Sequence, residues 1–233
     1  MDTNDVTALL EANQNEAGIQ KWAARPDRPG KLKIFGIGLT QLRKLAKQVG
    51  KNHALALQLW ESDVYDGRIV GVLIDDPKQM TREQVEAQVE HLDQGQLEHV
   101  FCSCGAPLAK VPFVVELAED WVKSEHPRRR NCGYGLLYEL SKSKTKSAPD
   151  EMFFLAHLTH IDQSYDGAPR PVQGSMGGAL MGIGKRTAKL NAAALKIARR
   201  IGPIEFEAES GSCEPFDVTK HLTSDYITKK LGV

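Results

Sequence analysis

The chain has 233 residues, 41% of them apolar, enough to build a sizeable core without disulfides. Its 30 Lys and Arg balance 30 Asp and Glu, which excludes the global basic field of a typical duplex-binding domain, so any nucleic-acid surface must be a local patch. Met1–Glu16 lacks the basic and apolar regions of a signal peptide, and no stretch nears the roughly 18 apolar residues of a membrane span. A cytoplasmic location is expected.

Apolar residues spaced by three and four recur along the chain and predict helices. Leu39, Leu42, Leu45, Ala46 and Val49 form one stripe, closed by Gly50. Ala54, Leu57 and Trp60 mark a second helix, and Val64 to Leu73 a third that stops before Pro77. Thr81 and Gln84 have capping-box spacing ahead of Val85, Val89 and Leu92. Further helices are expected over 111–122, with Pro112 in the first turn, and over 131–140, 151–161, 172–183, 190–201 and within 218–231. The one short strand candidate is 204–208. Pairs of helices recur at roughly forty residues, the HEAT or armadillo period. No domain boundary stands out, and the loops at 141–149 and 203–215 are the most irregular segments.

Several features bear on chemistry. Cys102, Cys104, Cys132 and Cys213 fit neither a CxxC pair nor a zinc ribbon and read as free thiols. Arg43, Lys47 and Lys51 fall at i, i+4 and i+8, opposite the leucines, and Lys185, Lys189, Lys196 and Arg200 repeat a similar stripe. Between them lie Arg128, Arg129 and Arg130, then Lys142, Lys144 and Lys146. Each set by itself reads as a solvated face; in a solenoid, such faces can line one concave surface, where phosphates need cations along a path. Gly174, Gly178 and Gly182 share a helical face, and close packing against another helix is the favoured reason. Gly182-Ile-Gly184-Lys185-Arg186-Thr187 fails the phosphate-loop pattern, since Ala179 and Arg186 stand at required positions. His157, His160 and Asp162 lack a further clustered ligand for a metal, and Glu98, His99 and Cys102 lack a group that orients the histidine as a base.

Phe35-Gly-Ile-Gly38 leading into Leu39–Ala46, then Leu59-Trp-Glu-Ser62, Arg68–Pro77 and Thr81–Glu86, resembles the N-terminal half of the AlkD family of DNA alkylation repair glycosylases. Ala179–Arg186 and Leu190–Leu195 are similar to the C-terminal half of a divergent subgroup, so the resemblance spans roughly 18–231. It implies an all-α, C-shaped solenoid of antiparallel HEAT-like (ARM-type) helix pairs, one domain over 1–233 with the N-terminal helices of residues 1–30 as a cap. It also implies DNA, duplex or branched, held on a basic face without membrane, metal or small-molecule cofactor, and a nucleoid association within the cytoplasm. Active members release N3- and N7-alkylpurines using tryptophans and an aspartate that stabilises the oxocarbenium-like sugar. This sequence departs from that pattern. Over Asp93–Phe101, Gly95 or Leu97 replaces the first tryptophan, His99 stands near the aspartate position and Glu98 is one residue out of register. Gly178 replaces the second tryptophan, and Cys132 or Gly133 falls at the cleft arginine near Arg130.

The expected function is therefore DNA binding with the standard glycosylase cleft lost, and the catalytic residues are unassigned. The binding set comprises Arg43, Lys47, Lys51, Arg128, Arg129, Arg130, Lys142, Lys144, Lys185, Arg186, Lys189, Lys196 and Arg200. The alternatives are a divergent alkylpurine glycosylase using Glu98 or His99, and a protein-interaction solenoid with a protein partner and no DNA role.

Overall fold

The computed structural model describes residues 1–24, 32–92, 96–145, 148–205 and 214–233. Lys146, Asp93, Gly95, Cys213 and most of the 204–208 strand candidate lie outside these. The described residues contain helices and no β-strand, only single bridges pairing Lys33 with Val64 and Ile204 with Phe216. None of the helices is long and apolar enough to cross a membrane.

The chain packs as two compact units, Met1–Phe113 and Val114–Val233. The first holds α1 (Thr3–Glu11), α2 (Glu16–Ala23), α3 (Leu39–Val49), α4 (His53–Trp60), α5 (Tyr65–Ile74), α6 (Arg82–Val89), α7 (Leu97–Cys102) and a 3-10 turn at Pro107–Lys110. The second holds α8 (Val114–Val122), α9 (Pro127–Lys142), α10 (Glu151–Ser164), α11 (Arg170–Gly184), α12 (Ala188–Ile201), α13 (Val218–Leu222) and α14 (Asp225–Leu231). Within each unit a helix packs on a sequence neighbour and on the next helix but one. α4 meets α5 while α3 meets α5, and α11 meets α12 while α9 meets α11. That alternation is the packing of stacked helix pairs, in which no pair buries its apolar face alone.

Local chemistry sets most helix ends. In α1, Asp2 and Asp5 form a reciprocal capping box, each backbone N–H donating to the other's carboxylate at 2.9 Å. Thr81 forms only half of the expected one: its hydroxyl accepts from the Gln84 amide at 3.2 Å, but the Gln84 side chain turns to Asp75, 2.8 Å away. Pro112 lies ahead of α8, not in its first turn, because Val111 still closes the 3-10 turn on the Leu108 carbonyl. α9 begins at Pro127, its fixed φ suited to a first turn, and continues to Lys142, past the expected end at Leu140. Where one helix was expected within 218–231 there are two. Asp217 caps α13, the backbone bends at Thr223, and Ser224 begins α14.

The core is built from the predicted helices, including Leu42, Leu45, Val85, Trp121, Leu136, Phe154, Leu180 and Leu190. In α4 the buried face is Leu55, Ala56, Leu59 and Trp60, so of the expected stripe only Trp60 is buried while Ala54 and Leu57 are exposed. Each such side chain contributes roughly 1.5–3 kcal/mol on burial. Asp66 is a buried exception whose carboxylate accepts from the backbone N–H of Phe35 (2.7 Å) and Ile37 (3.2 Å). Burial pushes its carboxyl above the ordinary carboxylate range, against those hydrogen bonds, which favour the ion. Asp66 thus fixes the segment that leads into α3.

The glycines of α11 divide by environment. A Cβ on Gly182 would lie 2.6 Å from the Tyr138 ring, and one on Gly184 would lie 2.8 Å from Leu222, so both permit close packing. A Cβ on Gly178 would meet nothing within 4 Å. Packing therefore accounts for Gly182 of the predicted stripe but not for Gly178.

Gly178→Ala is expected to raise stability by about 1 kcal/mol, the helix-propensity difference. Gly71→Ala places a Cβ 2.9 Å from the Ala56 carbonyl oxygen and should cost about 1–3 kcal/mol. Urea titrations of the two variants would check this opposition of sign. A second expectation concerns pH. His157 is buried against the Phe153 ring, and burial, followed by the nearby His160 and Lys123 charges, lowers its pKa from 6.5 to about 4. The unfolded chain takes up this proton first, so the stability that neutral His157 lends is present above about pH 6.5 and lost as pH falls toward 4. The loss should be on the order of 3 kcal/mol, and His157→Leu should remove most of this slope in unfolding titrations between those pH values.

Candidate functional site

The predicted cations gather chiefly around two cavities, one in each unit. The first, of about 470 Å³, is walled by Arg43, Lys47, Lys51 and Lys110 with Asp75, Pro77, Cys104 and Pro107. α3 is strongly amphipathic, with Leu42, Leu45 and Ala46 inward, which leaves Arg43 and Lys47 on the outer side. The helix ends at Val49 and Gly50 adopts φ +80°, so Lys51 joins the wall from beyond the helix, not as its third turn. Arg43 donates to the Cys104 carbonyl (3.2 Å), and Lys51 pairs with Asp76 at 3.3 Å. Hydrogen bonds from the Lys78 amide and then the Gln79 side chain, aided by Lys51, hold the Asp76 carboxyl below its usual range. Asp75 is buried and engaged by His53 (2.6 Å), Gln84 and the Asp76 amide, so its role is to close α5.

The second cavity, of about 490 Å³, is lined by Lys142, Lys144, Lys185, Arg186 and Lys230, with Tyr138, Ser141, Ser143, Gly182 and Thr187. Among the described residues, no carboxylate is in its wall. Arg186 is held in place by donating to the carbonyls of Ser141 (2.6 Å), Ser143 (3.0 Å) and Leu140 (3.4 Å), with its guanidinium 4.4 Å from the centre of the Phe154 ring. Lys142 pairs with Glu139 at 2.7 Å, and Lys230 donates to the Lys185 carbonyl at 2.8 Å. Burial, followed by the Lys230 charge, lowers the Lys185 ammonium pKa below its ordinary value. Lys230 belonged to no predicted stripe and was missed, because its partners lie some 45 residues away.

The remaining predicted residues are not in either wall. The expected Lys185–Lys189–Lys196–Arg200 stripe is interrupted. Lys185 caps the C-terminus of α11, and Thr187 begins a separate helix. Lys189 pairs with Glu151 at 3.1 Å, Lys196 is exposed, and Arg200 bridges Asp162 (2.7 Å) and Asp166 (2.9 Å). Arg128, Arg129 and Arg130 occupy the first turn of α9, where the helix dipole does not favour cations, and the Arg130 Nε is buried with no hydrogen-bond partner among the described residues.

The weaker catalytic candidates fall on α7. Glu98 is half-buried; His99 is exposed, with Nε2 2.7 Å from Cys104 Sγ, so its sulfur neighbour is Cys104 and not the Cys102 suggested by helical spacing. Cys102 instead donates to the Glu98 carbonyl at 3.1 Å. Trp60 and Trp121 are core residues, and Trp22 packs on Tyr65 at 5.2 Å beside a smaller cavity of about 190 Å³. Among the described residues, no three His, Cys, Asp or Glu are grouped to hold a metal.

Arg186→Ala leaves three helix-end carbonyls without that donor and should cost about 2 kcal/mol in urea unfolding. Arg186→Lys should recover less than half, because an ammonium does not reproduce the planar fork.

Two relatives match at the sequence level. The uncharacterized protein Lin0241 of Listeria innocua serovar 6a is 23% identical, with 83% of this chain and 84% of that protein covered. The uncharacterized protein Lmo0209 of Listeria monocytogenes serovar 1/2a is 21% identical over the same shares. A solved structure described as a new family of proteins related to the HEAT-like repeat DNA glycosylases, with affinity for branched DNA structures, superposes with a TM-score of 0.83. It covers 100% of this chain and 97% of its own at 18% identity, which identifies the fold as HEAT-like. The family described as DNA alkylation repair enzyme matches residues 6–203, and the chain belongs to that family.

Proposed function

We propose that the protein binds duplex or branched DNA through local basic surfaces and lacks the standard glycosylase cleft. The observation that carries this reading is the grouping of cations from separate helices into cavity walls, above all in the second unit. Nucleic acid is the polyanion that requires cations spaced along a path. The family membership and the branched-DNA affinity of the structural neighbour support the same partner. Arg128, Arg129, Arg130, Lys189 and Lys196 extend the proposed contact set beyond the cavities, whereas Arg200 serves first as an ion-pair anchor. The absence of tryptophan from the expected cleft positions argues for recognition without base excision. A location in the cytoplasm, on the nucleoid, follows from that partner.

The test is fluorescence-polarisation titration with plain, branched and N7-alkylated duplexes, with released base scored in the same samples. Binding without base release is expected. Affinity should fall roughly 10²-fold between roughly 50 and 200 mM salt if about four phosphates are neutralised. Lys47→Glu combined with Lys51→Glu should weaken binding by at least roughly tenfold at low salt. Released base would restore the divergent glycosylase and direct mutation to Glu98 and His99. No binding at low salt would sink the proposal in favour of a protein-binding solenoid.

A further inference from the structure

The second cavity differs from the first in a way that bears on its ligand. Carboxylates stand in or beside the first: Asp75 lines it, and Asp76 pairs with Lys51. The second has five cationic side chains and four hydroxyls, with no carboxylate among the described residues of its wall. Glu139 answers Lys142, and Glu151 is taken by Thr187 and Lys189. Arg186 and Lys230 direct donors to backbone carbonyls, which fixes them without neutralising a full charge. Lys185 sits half-buried near Lys230, where two ammonium groups disfavour one another unless an anion lies between or beside them. Thr187, at the start of the 14-residue α12, adds a hydroxyl to the same wall.

From this we infer that the second cavity is a receptor for a terminal phosphomonoester, the dianion at a DNA end, nick or flap. An internal phosphodiester carries one charge and is flanked by sugars on both sides, so it follows an open basic surface. A monoester carries close to two charges on three oxygens, and being terminal it can enter a recess. The DNA-end half of this inference rests on the proposed DNA binding; the recognition of a compact phosphate dianion does not.

The experiment compares matched duplexes ending in 5′-phosphate, 3′-phosphate or hydroxyl by fluorescence polarisation, for the full chain and for Lys185→Met combined with Lys230→Met. Inorganic pyrophosphate is titrated by calorimetry in parallel. A phosphorylated end should bind roughly tenfold tighter than a hydroxyl end. The double variant should lose that preference, so that its affinities for phosphorylated and hydroxyl ends agree within a factor of about two while both are weakened. Equal affinities for all ends of the wild-type protein, or a preference that survives the double variant, would overturn the inference. If no duplex binds, the DNA reading fails and pyrophosphate decides the remainder. Binding weakened roughly tenfold by the double variant keeps the dianion site; unchanged or absent binding removes it. Lys142→Met combined with Lys144→Met supplies a second pair at exposed positions should the first variant fail to fold, and the same losses are expected of it.

Discussion

α11 approaches α9 closely because Gly182 has no side chain: a Cβ there would sit 2.6 Å from the Tyr138 ring. Asn131 meets Ser175 near one end of the pair, and Tyr138 and Ser141 meet Gly182 toward the other. The two helices therefore run in the same direction, and their C-termini come together. The last four carbonyls of any helix have no partner within it, and they carry the negative end of the dipole. Two such ends side by side demand donors. Arg186 and Lys230 meet that demand, one reaching the carbonyls of α9 and the other the carbonyl of Lys185. A packing constraint at one glycine thus places the cavity and begins to collect its cations.

The same accounting explains how a chain of zero formal charge presents basic recesses. Its acids are not spread evenly but are drawn into local structural tasks. Asp2 and Asp5 cap α1, Asp66 holds the segment before α3, Asp75 closes α5, and Asp162 and Asp166 anchor Arg200. Each carboxylate engaged elsewhere is one fewer at the cavity walls. Net charge governs the field at long range, while a recess a few ångströms across responds to the groups that line it.

This separation also marks what could be read from the sequence. Helices with a wide apolar stripe, such as α3 and α12, were legible because one period of 3.6 residues specifies both the element and its buried face. The Arg43–Lys47 pair was legible for the same reason, as the complement of that stripe. Family likeness was legible in the Gly-turn, LWES and DDP segments. Contacts between distant segments were not: Lys230 reaching Lys185, His99 beside Cys104, and Arg186 turned toward α9 depend on how helices meet, which spacing along one helix does not encode. The broken Lys185–Arg200 stripe is a related case. Even spacing in sequence hid the end of α11 at Gly184 and the new cap at Thr187.

Helix-end carbonyls do not account for all the positive charge in the second cavity. Two C-termini contribute only about half an elementary charge each. Glu139 removes one more through Lys142. Set against five cations, this leaves a surplus, and Lys185 holds its share under partial burial, where an ammonium is costlier than in water. Had structural capping been the whole purpose, hydroxyls or amides would satisfy the carbonyls without that cost. The surplus is therefore the part of the arrangement that packing leaves unexplained, and a bound anion is the component that would balance it.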